Sequence, residues 1–178
     1  MERGFMVVKI KLLPQQPSDK LSDTLNRLQR GIVSYIGYLH ACGMESSFSE
    51  YVLYEPALRI LTHCGFVVQC EYPCPNIQHA KVGDKKRLDL YATHAALNFD
   101  IAIEIKWFET GKEVYSGDEM KLKAFVSQNG DHRGFFLAFG TSDLLSQMKI
   151  LPPFQPIRSL KHSELKQSSY ACQTYEVI

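Results

Sequence analysis

No run of about 18 apolar residues occurs in this 178-residue chain, so the sequence predicts no membrane-spanning helix. Charge of one sign is also lacking. Twenty Lys and Arg stand against 19 Asp and Glu, a formal net charge of +1, so any basic surface must be local. The five cysteines (Cys42, Cys64, Cys70, Cys74 and Cys172) are odd in number and irregularly spaced, which argues against a disulfide framework and for reduced thiols. Cys70 and Cys74 with His79 nearby could suggest zinc, but the paired knuckles of a structural site are missing, and buried free cysteines are the preferred reading. Internal repeats and low-complexity segments are absent. Residues 1–16 carry lysines within an apolar stretch and show no signal-peptide cleavage pattern, so a cytoplasmic protein without a membrane partner is expected.

What is present reads as one domain with extensions. Residues 5–13 (FMVVKIKLL) read as a strand stopped by Pro14 and Pro17. Ser18 or Asp19 then caps a helix to about Ala41, with Leu21, Leu25, Leu28, Ile32, Tyr35, Ile36 and Leu39 as its apolar stripe and Gly43 as its stop. A second helical stretch runs from Glu50 to Cys64, where Pro56 marks either a restart or a kink. Residues 66–72 (FVVQCEY), 86–91 (KRLDLY) and 100–108 (DIAIEIKWF) read as strands, the last two as an antiparallel hairpin. A helix over 118–128 follows, with Lys121 and Lys123 outward. Then come a near-continuous apolar strand, 134–140 (GFFLAFG), of the type found in covered parallel pairings, and a short helix capped by Thr141 or Ser142. Residues 170–178 read as a C-terminal edge strand. The order predicts an α/β fold, with a central mixed four-stranded sheet flanked by helices (αβββαβ) and an N-terminal strand and helix extension. The expected divisions are 1–45 (N-terminal extension), 46–150 (core) and 151–178 (C-terminal extension).

The chemistry concentrates on two of these strands. Ile101, Ile103, Ile105 and Trp107 alternate with Ala102, Glu104, Lys106 and Phe108, which puts Glu104 and Lys106 on one face of a strand. Asp89 sits between Leu88 and Leu90 on the neighbouring strand. Charges in such apolar surroundings are costly without partners or a task. Two carboxylates and a lysine converging from adjacent strands can hold a hard divalent cation and activate a water. The competing reading is a Glu104–Lys106 ion pair on an exposed sheet face with Asp89 in a surface turn.

Asp89, followed after fourteen residues by Glu104-Ile105-Lys106, resembles the D…(D/E)-x-K signature of the PD-(D/E)XK, or restriction-endonuclease-like, phosphodiesterases. The resemblance covers about residues 50–141. It includes a helix with an acid before the first strand and a D-x-x-K-L segment, Asp118 to Leu122, after the lysine. Leu88 stands where the family's proline would. The resemblance implies a restriction-endonuclease-like core and a divalent-metal-dependent nuclease hydrolysing phosphodiester bonds in DNA, or in RNA, to 5′-phosphate and 3′-hydroxyl ends. A non-catalytic nucleic-acid-binding or complex-assembly module on the same fold is the alternative. It further implies that Asp89, Glu104 and the backbone carbonyl of Ile105 bind Mg2+ or Mn2+, that Lys106 orients the attacking water, and that an acid of the preceding helix completes the set. Glu50 is preferred to Glu55 for that place. A homodimer or a partner subunit would supply specificity, with the first helix or the terminal strands as candidate surfaces.

Lys81, Lys85, Lys86 and Arg87 precede Asp89, where a phosphate backbone would approach, and Lys121, Lys123, His132 and Arg133 could extend them. For each, a solvated face is the competing reading. Trp107, the one tryptophan, reads as core, with a platform for stacking a base as the alternative.

Overall fold

The structure, a computed structural model, describes residues 17–75, 77, 86–163 and 169–178. The strand expected over 5–13, and its pairing with the C-terminal strand, lie outside the described residues. The chain forms a mixed α/β fold. Helices α1 (Pro17–Ala41), α2 (Tyr54–His63), α3 (Ser116–Val126) and α4 (Ser142–Gln147) flank a sheet of seven strands: β1 (Val67–Pro73), β2 (Arg87–Thr93), β3 (Ile101–Phe108), β4 (Arg133–Thr141), β5 (Phe154–Pro156), β6 (Lys161–His162) and β7 (Tyr170–Val177). The strand order is β1-β2-β3-β4-β7-β5, with β6 also paired to β7. Among the described strands, β3 and β4 run parallel and the other pairings are antiparallel.

The hairpin of β2 and β3 and the parallel union of β3 with β4 are as the sequence predicts. Two expectations are corrected. The sheet does not stop at four strands, and residues 170–177 are not an edge: β7 lies between β4 and the consecutive short strands β5 and β6. Its polar Gln173 and Thr174 are buried because partners await them. The Gln173 amide donates to the Arg158 carbonyl, and the Thr174 hydroxyl donates to Gln29 Oε1 at 3.1 Å. Gln29, itself buried in α1, donates to the carbonyls of Cys172 (2.6 Å) and Ser159 (2.9 Å). One glutamine thus satisfies three groups that burial would otherwise leave costly.

Leu21, Leu25, Leu28, Ile32, Ile36 and Leu39 of α1 are all buried, so this apolar stripe is consumed inside the chain's own core. All of these but Leu39, with Leu53, Ala57 and Leu61, cover one sheet face, against Leu90, Ile101, Ile103, Ile105, Phe135, Leu137 and Phe139. Leu122 and Phe125 of α3, Leu145 of α4 and Phe154 cover the other, against Ala102, Phe108, Phe136 and Ala138. Burial of β3 on both faces explains why Ala102 and Glu104 are as hidden as the isoleucines. Pro56 falls in the first turn of α2, the restart reading, where its missing N–H costs nothing. At Gly140 a Cβ would meet the Phe108 carbonyl oxygen at 2.5 Å, so only glycine lets β4 pass the end of β3.

Candidate functional site

The site begins with a break in a ladder. β2 and β3 pair through Ala92↔Ile101, Tyr91↔Ala102 and Leu90↔Ile103, and there the ladder ends. One further step along that register would set Asp89 opposite Glu104. Instead Asp89 Oδ2 accepts the Ile105 N–H at 2.7 Å, taking the place of a backbone acceptor. Its other oxygen, Oδ1, accepts the Tyr54 hydroxyl at 2.8 Å, and Glu71 Oε1 lies 3.1 Å from the same hydroxyl. Glu71 itself adopts φ 52°, a left-handed conformation uncommon outside glycine, at the position of β1 skipped between Cys70↔Leu90 and Tyr72↔Leu88.

Glu104 is 1% exposed. The Lys121 ammonium is hydrogen-bonded to its Oε2, while its Oε1 is buried with no partner among the described residues. Asp118 joins the two lysines of the site: Oδ1 is 3.1 Å from Lys121 Nζ and Oδ2 is 3.9 Å from Lys106 Nζ. Lys106 is held chiefly by Glu50 Oε1 at 3.0 Å, an oxygen that also accepts the Trp107 N–H at 3.4 Å. Glu50, Tyr51, Tyr54, Glu71, Lys86, Arg87, Asp89, Asp118 and Lys121 line a cleft of about 280 Å³.

Burial sets the electrostatics. It raises the Asp89 carboxyl above its ordinary value, against the lowering effect of the Ile105 N–H, Lys121 and Tyr54. Burial, reinforced by the nearby charge of Asp89, raises Glu104 well above the usual carboxylate range, with Lys121 opposing. For Lys106 and Lys121, burial alone would lower the pKa, but Glu50 in the first case and Glu104 in the second lead the acids that outweigh it and raise both. Lys106 is therefore a fixed ammonium at neutral pH: it can orient and neutralise, and it is unsuited to accept a proton.

The predicted site residues largely come together. Asp89 and Glu50 line the cleft, Lys106 is tied to Glu50 and Asp118 beside it, and Glu104 is buried against Lys121, with the Ile105 N–H on Asp89. Glu55 does not join them; it pairs with Arg59 on the exposed side of α2. Lys86 and Arg87 line the cleft, and Lys81 and Lys85 lie outside the described residues. The outward placement of Lys121 is corrected: at 12% side-chain exposure it turns into the site, drawn by Glu104 and Asp118. Lys123 pairs with Glu119, and Arg133 makes a two-pronged ion pair with Glu176 at 2.6 and 2.7 Å, so neither extends the basic lining of the cleft. Sequence reading missed Tyr54 and Glu71, for which no spacing signal exists. It noted Asp118 only as part of a motif, although its i, i+3 spacing to Lys121 was a usable signal.

Among the described residues, no three His, Cys, Asp or Glu side chains form a group that could hold a metal ion as placed. The donor types nonetheless fit a hard divalent cation: carboxylate oxygens from adjacent strands, both disfavoured as anions by burial, one of them with an unpartnered oxygen. Cys74 is not a ligand candidate; its thiol is buried, 3.4 Å from the Lys121 carbonyl, and burial pushes its pKa up to about 11. No described helix is long and apolar enough to cross a membrane. Comparison with known protein families, with curated proteins and with solved structures found no match for this chain.

Proposed function

We propose that the chain is a divalent-metal-dependent nuclease that hydrolyses phosphodiester bonds in DNA, built on a restriction-endonuclease-like core of the PD-(D/E)XK kind. One observation carries this reading. Half-buried Asp89 and fully buried Glu104 lie together where β2 and β3 part, Glu104 Oε1 has no partner among the described residues, and Lys106 follows on the same face of β3. Carboxylates destabilised in this way gain most from a cation brought among them.

In this reading Asp89 and Glu104, with the Ile105 carbonyl, hold Mg2+ or Mn2+, which when bound supplies Lewis acidity against the charge that builds on the phosphoryl oxygens. The chain's own groups do the rest. Tyr54 and the Ile105 N–H fix the Asp89 carboxylate in one orientation. Glu50 holds the Lys106 ammonium at the mouth of the site, where it orients a water and offsets negative charge on the scissile phosphate. Lys86 and Arg87 at the cleft wall attract the phosphate backbone without regard to sequence.

A non-catalytic nucleic-acid-binding module on the same fold is the second reading. What favours it is that Lys121 already neutralises Glu104 without a metal. Nicking of supercoiled DNA with and without Mn2+, by wild type and by Asp89→Asn, separates the two. The nuclease reading expects Mn2+-dependent nicking that the substitution removes; binding without nicking on supercoiled, linear and single-stranded DNA favours the module.

A further inference from the structure

A second cleft, of about 450 Å³, opens beside the carboxylate cleft and is lined by Phe48, Ser49, Glu50, Tyr51, Lys106, Trp107, Glu113 and Val114. Glu50 and Tyr51 line both clefts, so the two adjoin at these residues. The volume falls within the roughly 300–1,000 Å³ typical of small-molecule sites. Its lining differs in kind from that of its neighbour. The carboxylate cleft is crowded with charge, whereas this one presents three aromatic rings and a valine beside Lys106, Glu50 and Glu113, of which Glu50 is shared.

Two features suit this cleft to a flat ring. Trp107 is a rigid wall: it is braced by Phe139 (ring centroids 4.8 Å apart), Phe48 (5.5 Å) and Tyr170 (6.0 Å), yet it is not fully buried. Tyr51 and Val114 are 73% and 77% exposed, an apolar surface left uncovered beside a charged site. Tyr51 also sits against Tyr54 (5.5 Å), whose hydroxyl holds Asp89, so the uncovered ring is attached to the carboxylate site itself.

Resting on the phosphodiester-cleaving reading for the placement of the strand, we propose that this cleft receives an unpaired nucleobase adjoining the phosphate held at Lys106, so that single-stranded or frayed nucleic acid is the substrate class. A phosphate against the Lys106 ammonium places its neighbouring base at the mouth of the aromatic cleft. A base inside a duplex is stacked on its neighbours and cannot enter without being unpaired first. Stacking on aromatic rings is tolerant of sequence, because every base offers a π-face.

Trp107 is the chain's one tryptophan, so its emission reports on this cleft alone. The test is titration of the full chain, in metal-free buffer with chelator, with an oligothymidylate strand and with the same sequence in a blunt duplex. The single strand is expected to quench Trp107 and the duplex to bind without quenching. Tyr51→Ala, at a position 73% exposed, should weaken the single strand about 5- to 150-fold, the equivalent of the roughly 1–3 kcal/mol of one stacked base, and weaken the duplex by less. Tyr51→Phe should retain the wild-type affinity. Equal quenching by both forms, no binding of either, or an unaltered Tyr51→Ala overturns the proposal. Quenching by the single strand in a protein that never cleaves would sink the nuclease reading and leave the stacking site standing. Metal-dependent cleavage without quenching or strand preference does the reverse.

Discussion

Lys121, not Lys106, is the cation in contact with Glu104. Lys106 lies two residues from Glu104 on the same strand but is engaged by Glu50 at 3.0 Å, and Asp118 reaches both ammonium groups. The two lysines thus have different work. Lys121 compensates a carboxylate that is otherwise sealed from water, and Lys106 faces the mouth of the site.

Removal of Lys121 strands that carboxylate. Lys121→Met is expected to lower the unfolding free energy at neutral pH by roughly 3 kcal/mol, the order found when one partner of a buried pair is deleted. Millimolar Mn2+ should restore part of the loss, because the cation takes over the neutralising role. Thermal unfolding of the variant with and without Mn2+ measures both effects. Unchanged melting in both conditions would show that Glu104 is protonated and indifferent to its neighbour.

Acid should loosen the loop after β3. Glu113 Oε1 accepts the N–H groups of Glu109 (2.9 Å) and Thr110 (2.7 Å) and the Thr110 hydroxyl (3.0 Å). Burial alone would raise its pKa, but these donors outweigh it and hold the carboxyl at about 2, below its ordinary 4.5. A depressed carboxyl contributes stability above its unfolded value and loses it as pH falls through the folded one. Wild type should therefore exceed Glu113→Gln by about 1 kcal/mol at pH 7, discounted for partial solvent screening, and the gap should close as pH falls from 4.5 toward 2. Urea unfolding of the pair across that window is the measurement, and a pH-independent gap would assign the effect to packing.

The basic wall of the cleft should act on phosphates alone. Arg87→Ala is expected to weaken binding of all DNA sequences alike and to reduce the slope of log affinity against log salt by about 1. A changed sequence preference would mean that Arg87 reads bases.

Much of this candidate site was legible in the sequence, and the reason is physical. The β2–β3 hairpin and the covered β4 announce themselves through period-two alternation and an unbroken apolar run, and they carry Asp89, Glu104 and Lys106 with them. What stayed hidden depends on tertiary partners. Gln173 and Thr174 make β7 look like an edge strand until Gln29 and the Arg158 carbonyl reach them. Lys121 occupies an outward position by helical periodicity, while Met120 beside it is 44% exposed; only the carboxylates beneath α3 turn the lysine inward. Tyr54 belongs to no motif, and its hydroxyl matters only because the strands part at Asp89.

The central claim rests on Lys106, whose partners are half-exposed, so its removal should leave the fold intact. The decisive measurement is the rate of Mn2+-dependent DNA cleavage by Lys106→Ala relative to wild type at matched melting temperature. A loss of about 100-fold or more, of the size seen when one charge-stabilising donor is removed from a catalytic site, with DNA binding retained, is the predicted result. Cleavage by the variant at the wild-type rate would contradict the account.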